Sequence, residues 1–262
     1  MKKVLSVIYI IIIAVFLYLP IGTLMVLSFN KSKSMSIWTG FTFDWYKEMF
    51  HDRLIVNAIV NTFSIALIAS IIATIIGMMA CIGMKKMRSG SQHVLLGFNN
   101  IPMLNADIVT GISLMLCFLA FGISLGYTTI LISHITFCIP YVILSVRPRM
   151  NKTTESLFEA AQDLGASRSY AFRKVIIPEI KPGILSGFLL SFTMSVDDFI
   201  VTYFTRGAGI NTISTRIYSE VKVGIRPSLF ALSTFVFLLA LVILLIVNFK
   251  TKKGEGNNFE VI

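Results

Sequence analysis

Charge is what this chain has least of. Only 14% of its 262 residues are charged, against about a quarter in a typical soluble domain. Acidic residues are the scarcer sign, 13 against 23 basic. With 55% hydrophobic residues and a mean hydropathy of +0.81, the composition excludes an ordinary soluble domain and requires a membrane one. The net charge of +10 does not make a nucleic-acid partner, because no solvated basic domain carries it; the basic residues read as topology signals. Cysteine is also scarce. Cys81, Cys117 and Cys138 lie in apolar runs, match no zinc or CxxC spacing, and, being odd in number, cannot form a complete intrachain set of disulfides. No metal site and no cofactor are expected in the chain. A GxxxxGK[ST] phosphate loop is absent, so if ATP drives any process here, another polypeptide binds it. The first apolar run, Val4–Phe29, is long and lacks a small-residue cleavage site, so a spanning helix is expected there rather than a cleaved signal peptide.

What is present in quantity is long uncharged sequence. A spanning helix needs about 20 apolar residues. Val4–Phe29 supplies one such run, and the apolar part of 54–84 supplies a second at 60–84. Ile108–Val146 is uncharged over 39 residues, too long for one helix, and Gly122 and Gly126 in "GISLG" offer a turn within it. The expected spans are therefore 4–29, 60–84, 103–121, 127–146, 183–204 and 228–249. Pro182 and Pro227 suit helix starts, where the missing N–H costs little. With the N-terminus inside, fifteen Lys and Arg fall on the inner side and eight on the outer, which orients both termini to the cytoplasm. The expected fold is an all-α membrane protein of six transmembrane helices. A single permease-like domain fills 1–250, a polar tail fills 251–262, and 147–182 is the longest cytoplasmic loop.

That loop, "ESLFEAAQDLGASRSYAFRKVIIPEIKP", is not a linker. Ser156 and Glu159 fit a capping box, and Leu157, Ala160, Ala161 and Leu164 recur at helical spacing. Gly165 suits the residue just past a helix end, where positive φ is needed. A second helix is expected from 167 to 176, stopped by Pro178. On these features alone the elbow either lies on its own bundle or the lipid headgroups, or docks a soluble partner.

Its spelling resembles the EAA loop of bacterial ABC-importer permeases: Glu159, Ala160 and Ala161, then Gly165, then Val175, Ile177 and Pro178. The family commonly has Ile and Leu where Val175 and Ile177 stand. The resemblance implies that the elbow couples the membrane helices to an ATP-hydrolysing subunit, which binds the ATP and Mg, and that this chain is not itself an enzyme.

Carboxylates at membrane depth are the other outlier. A charge at a helix centre costs about 2.5–3.5 kcal/mol on insertion-derived scales, yet "SVDDFIV" sets Asp197 beside Asp198. Asp107 opens the long uncharged run. The functional reading is a cation path. Adjacent residues on a helix point about 100° apart, so both aspartates face one channel only if the helix breaks there. Tyr203 and Phe199 offer cation–π faces, as does Trp45 in "FTFDWYKEMF". The competing readings are an N-cap for Asp107, a partner for Arg206 or Arg216 in the case of Asp198, and an interfacial anchor for Trp45. His134 has no second histidine or carboxylate at ligand spacing and is expected to be a hydrogen-bonded core residue.

"ADIVTGISL", "SHITFCIPYV", "EAAQDLGAS", "LSFTMSVDDFIV" and "IYSEVKVGIRP" together resemble the PotC-like permease subunits of spermidine/putrescine importers, over about 16–245. The resemblance implies the type I importer fold and alternating access in the bacterial cytoplasmic (inner) membrane. The implied partners are a homologous permease (PotB-like), an ATPase dimer (PotA-like) and an extracytoplasmic polyamine-binding protein (PotD-like). Two alternatives are an ABC importer permease for another solute and a proton-coupled secondary transporter using the aspartates as a relay.

Overall fold

The computed structural model describes residues 2–34, 36–85, 87–150, 152–224 and 226–256. Among these the fold is helical, with no strand beyond one isolated bridge between Asn30 and Phe41. The described residues form two compact units. One runs up to Val56 and resumes at Ile217; the other is Asn57–Arg216.

In the first unit, helix α1 (Lys2–Ser28) packs on α12 (Pro227–Gly256), and α12 also packs on the short α2 (Asp44–His51). No residue in the most apolar part of α1 is fully buried among the described residues. After α1, Asn30 ties the loop down. Its amide donates to the Ile37 carbonyl at 2.9 Å, and its side-chain oxygen accepts from the N–H of Ser32 and of Thr39, both at 3.2 Å. Phe29, Phe41, Phe43 and Tyr46 stack around it at centroid distances of 5.0–6.1 Å.

The second unit holds the rest of α3 (Arg53–Lys85), then α4 (Ser89–Leu104), α5 (Asp107–Ala120) and α6 (Tyr127–Val146). The elbow helices α7 (Lys152–Asp163) and α8 (Arg168–Ala171) follow, and α8 runs through a π-helical stretch, Phe172–Ile176, into α9 (Ile177–Asp197). The short α10 (Ile200–Thr205) comes next, and α11 (Ile213–Val223) leads out of the unit. Helix α6 is the central element, and small residues let its neighbours close on it. A Cβ on Gly183 of α9 would lie 2.9 Å from the Ser145 carbonyl oxygen, and one on Gly187 would lie 3.2 Å from Val142 Cα. From α3, Gly77 meets Val142 in the same way. Cys81 and Cys138 are buried here as small apolar residues beside Ala73, Val142, Val146 and Ile180; Cys117 is exposed.

Several boundaries differ from the expected ones. The stretch expected as one helix over 103–121 is two, because Asn105 and Ala106 are extended and α4 meets α5 at a 106° bend. The segment expected over 183–204 begins earlier and breaks at Asp198–Phe199. Pro178 does not stop the helix. It stands in the first turn after the π-helical stretch, where a missing N–H costs least, and Pro182 lies inside α9 rather than at its start. Helix α7 begins at Lys152, so Ser156 is an interior residue and no capping box forms there. Helix α12 continues to Gly256, and the end of the tail, 257–262, lies outside the described residues. By length and composition four helices among the described residues can cross a membrane, five if the bent pair counts as one span, and Pro227–Val242 adds a shorter apolar helix.

Candidate functional site

The break between α9 and α10 is where the adjacent aspartates sit, and it separates their surroundings. Asp198 turns inward, its side chain 9% exposed. One carboxylate oxygen accepts the Val201 N–H at 3.2 Å; the other accepts the Thr202 N–H and the Thr202 hydroxyl, both at 2.8 Å. These bonds satisfy two of the free backbone donors that begin α10, those of Val201 and Thr202. His134 of α6, 1% exposed, approaches the same oxygen at 3.4 Å through Nε2. Asp198 therefore pairs with a histidine rather than with Arg206, whose guanidinium lies over the Tyr203 ring at 5.3 Å and bonds the Asn211 side chain.

Asp197, one residue earlier, is exposed and has no hydrogen bond or ion pair among the described residues. The same holds for Asp107, the first residue of α5; the N-cap position belongs to Ala106, so Asp107 makes no side-chain cap. Asp107, Asp197 and Asp198 line one cavity of about 300 Å³ within the second unit. Thr110, Phe137, Tyr141, Met194 and Phe199 complete much of its wall. The bend after α4 and the break after α9 both end at this cavity, and that is how carboxylates from distant sequence share one space. Beside it α5 and α10 approach closely at Gly111, where a Cβ would lie 3.3 Å from Cα of the wall residue Val201.

Two aromatics singled out from the sequence lie elsewhere. Tyr203 packs on Phe199 at 5.5 Å and is not part of the cavity wall. Trp45 belongs to the first unit, is buried, and donates its indole N–H to the Asn30 carbonyl at 2.7 Å. Conversely, Phe137 and Tyr141 went unremarked in the sequence, although their i, i+4 spacing on one helix face was visible.

The elbow ends α7 with a Schellman motif. Gly165 has φ +86°, its N–H bonds the Gln162 carbonyl at 2.9 Å, and the Ala166 N–H bonds Ala161 at 3.0 Å. Glu159, Phe158, Gln162, Arg168, Phe172 and Ile177 line a groove of about 700 Å³. Leu157, Leu164 and Tyr170 are left 48%, 90% and 59% exposed, which is unusual for apolar residues outside lipid. Ala160 is exposed, and Val175 is half-buried between the elbow and α9.

Residues 53–252 match the family model described as the inner membrane component of binding-protein-dependent transport systems. The chain is 36% identical to the spermidine/putrescine transport system permease protein PotC of Haemophilus influenzae, over 93% of this chain and 95% of that one. It is 37% identical to PotC of Escherichia coli K12, over 92% and 93%. The putrescine transport system permease protein PotI of the same organism is 35% identical over 84% and 81%. Among solved structures, a chain of a bacterial ABC transporter that imports the acidic polysaccharide alginate superposes with a TM-score of 0.76 at 17% identity, covering 95% of each chain. The MetNI methionine transporter gives 0.61 at 18%, over 74% of this chain and 92% of that one; these two establish the fold. A multi-pass helical bundle with an EAA elbow, matched along most of its length, makes this chain a member of the family of inner membrane components of binding-protein-dependent transport systems.

Proposed function

We propose that this chain is the permease subunit of an ATP-driven importer of polyamines, spermidine and putrescine, in the bacterial inner membrane. The observation that carries the cargo is the cavity at the α9–α10 break. Asp107 and Asp197 present carboxylates on its wall that hold no hydrogen bond or ion pair among the described residues. An unpartnered charge among apolar helices is costly, and a flexible chain bearing several ammonium groups offsets that cost as it passes. Phe137, Tyr141 and Phe199 add ring faces for the same cations. The relatives named for spermidine and putrescine support the same cargo. Tyr203, packed on the wall residue Phe199, enters as a flanking aromatic contact; Trp45 stays a candidate path residue that offers a ring face only, its N–H being already taken. Asp198 lines the path while its charge is spent on α10 and His134.

In this reading Glu159, Ala160, Ala161, Gly165, Val175, Ile177 and Pro178 form the coupling elbow. Its exposed Leu157, Leu164 and Tyr170 suit a partner that covers them, an ATPase dimer which binds the ATP and Mg. Closure of that dimer pushes on α7, and because α8 continues unbroken into α9, the push reaches the aspartate break directly. A second, homologous permease completes the path, an extracytoplasmic binding protein delivers the cargo, and six spans place both termini in the cytoplasm. The test is ATP-dependent uptake of labelled spermidine and putrescine by the reconstituted complex, with an anionic sugar acid and a neutral sugar for comparison. Uptake of the polyamines alone supports the cargo; uptake of another solute in their place overturns it and leaves the importer standing.

A further inference from the structure

His134 faces both sides of the α9–α10 break at once. Its Nδ1 lies 2.6 Å from the Ser195 hydroxyl, at the end of α9. Its Nε2 lies 2.9 Å from the Thr202 hydroxyl, on α10. The Thr202 hydroxyl hydrogen is already given to Asp198 at 2.8 Å. The oxygen of Thr202 must therefore accept from His134, so Nε2 carries a hydrogen. That N–H is shared with the Asp198 carboxylate, 3.4 Å away, and Nδ1 is left to accept the Ser195 hydroxyl. All four side chains are buried or nearly so. Of the cavity wall the ring meets Asp198, at 3.4 Å, and Phe137, at a centroid distance of 5.0 Å. The ring is 1% exposed and is not itself part of that wall.

We infer that His134 is a positioning residue, a latch from α6 that holds the α9–α10 break open in one geometry and thereby keeps the Asp197 carboxylate free on the cavity wall. A break in a membrane helix leaves backbone donors that lipid cannot satisfy. Asp198 satisfies two of those of α10, and His134 fixes Asp198. Without the latch, α9 can continue its helical path through residue 198, and Asp197 rotates with it. The division of labour follows: Asp197 meets cargo, and Asp198 with His134 sets where Asp197 stands. The inference rests on the cavity being the cargo path, yet its structural half can be tested without cargo.

The chain has three histidines. His51 and His93 are exposed, and each directs Nδ1 at a backbone carbonyl, of Lys47 at 2.8 Å and of Ser89 at 2.7 Å; a carbonyl only accepts, so both carry the Nδ1–H form. Nitrogen-15 histidine NMR of the solubilised complex should show one slowly exchanging ring with hydrogen on Nε2, lost in His134→Gln and moved in Thr202→Val but not in Thr202→Ser. A buried ring protonated on Nδ1 alone overturns the latch whatever the cargo proves to be. In uptake, at equal amounts of assembled complex, His134→Leu and Thr202→Val should each lower transport about tenfold or more while ATP hydrolysis persists, since a lost hydrogen bond to a buried charge has that weight. His134→Gln, which keeps a donor, and Thr202→Ser should keep most of it. Equal loss in the conservative and the apolar variants, or native uptake in both apolar ones, contradicts the latch. If His134→Leu does not assemble, the Thr202 pair decides alone.

Discussion

At the scale of single residues, the three cavity carboxylates are unequal. Asp107 and Asp197 hold no bond among the described residues, so removing either charge should cost the fold little. Asp198 accepts three bonds from α10 and stands against His134. Asp198→Asn puts an amide where acceptors are needed, and should cost about 1–3 kcal/mol, read as a lower thermal midpoint of the purified complex. Asp107→Asn and Asp197→Asn should leave that midpoint unchanged. A midpoint that falls equally in all three would make them all structural. The adjacency of Asp197 and Asp198 in an apolar segment was legible in the sequence; the helix break there was not, since a break entered only as the condition for both to face one channel and the expected span ran on to 204. The identity of their partner was not: His134 is 64 positions from Asp198, and nothing local to either residue specifies that α6 and α9 pack face to face.

At the scale of elements, the glycines of α9 set how near α6 can come. Gly183→Ala puts a Cβ 2.9 Å from a backbone oxygen, which no side-chain movement relieves. It should destabilise by about 1–3 kcal/mol. Gly83→Ala, with nothing within 4 Å, should be neutral or stabilising by about 0.5–1 kcal/mol through helix propensity; thermal midpoints of the two variants check the contrast. In the elbow, Gly165 at φ +86° tolerates alanine only with strain of about 1–2 kcal/mol. Gly165→Ala should therefore reduce the amount of ATPase that co-purifies with the chain while leaving the melting of the bundle in place. The elbow's glycine turn and the limits of α6 were readable because Gly165, Gly126 and the end of the uncharged run at Val146 are strong local signals. Helix α4 was not readable. Its sequence "SGSQHVLLGFNNIPML" mixes two glycines, two asparagines and a proline with scattered apolar residues, so neither hydropathy nor periodicity marked it, and the 106° bend that brings Asp107 to the cavity depends on it.

At the scale of the molecule, the two devices of the second unit are joined by one element. The helical path from Arg168 to Asp197 is continuous, with the EAA elbow at one end and the aspartate break at the other. A push at the elbow needs no further linkage to move the cavity. Charge scarcity is the complement of this arrangement: in the apolar helices the few carboxylates are concentrated at the break, where they can act. The most direct test of that account is ATP-driven uptake of labelled spermidine by the reconstituted complex carrying Asp197→Asn, beside the native complex. Uptake reduced at least about tenfold, with complex assembly and thermal midpoint intact, is the expected result. Native uptake by Asp197→Asn would contradict it, and would remove the carboxylate cavity from the path of the cargo.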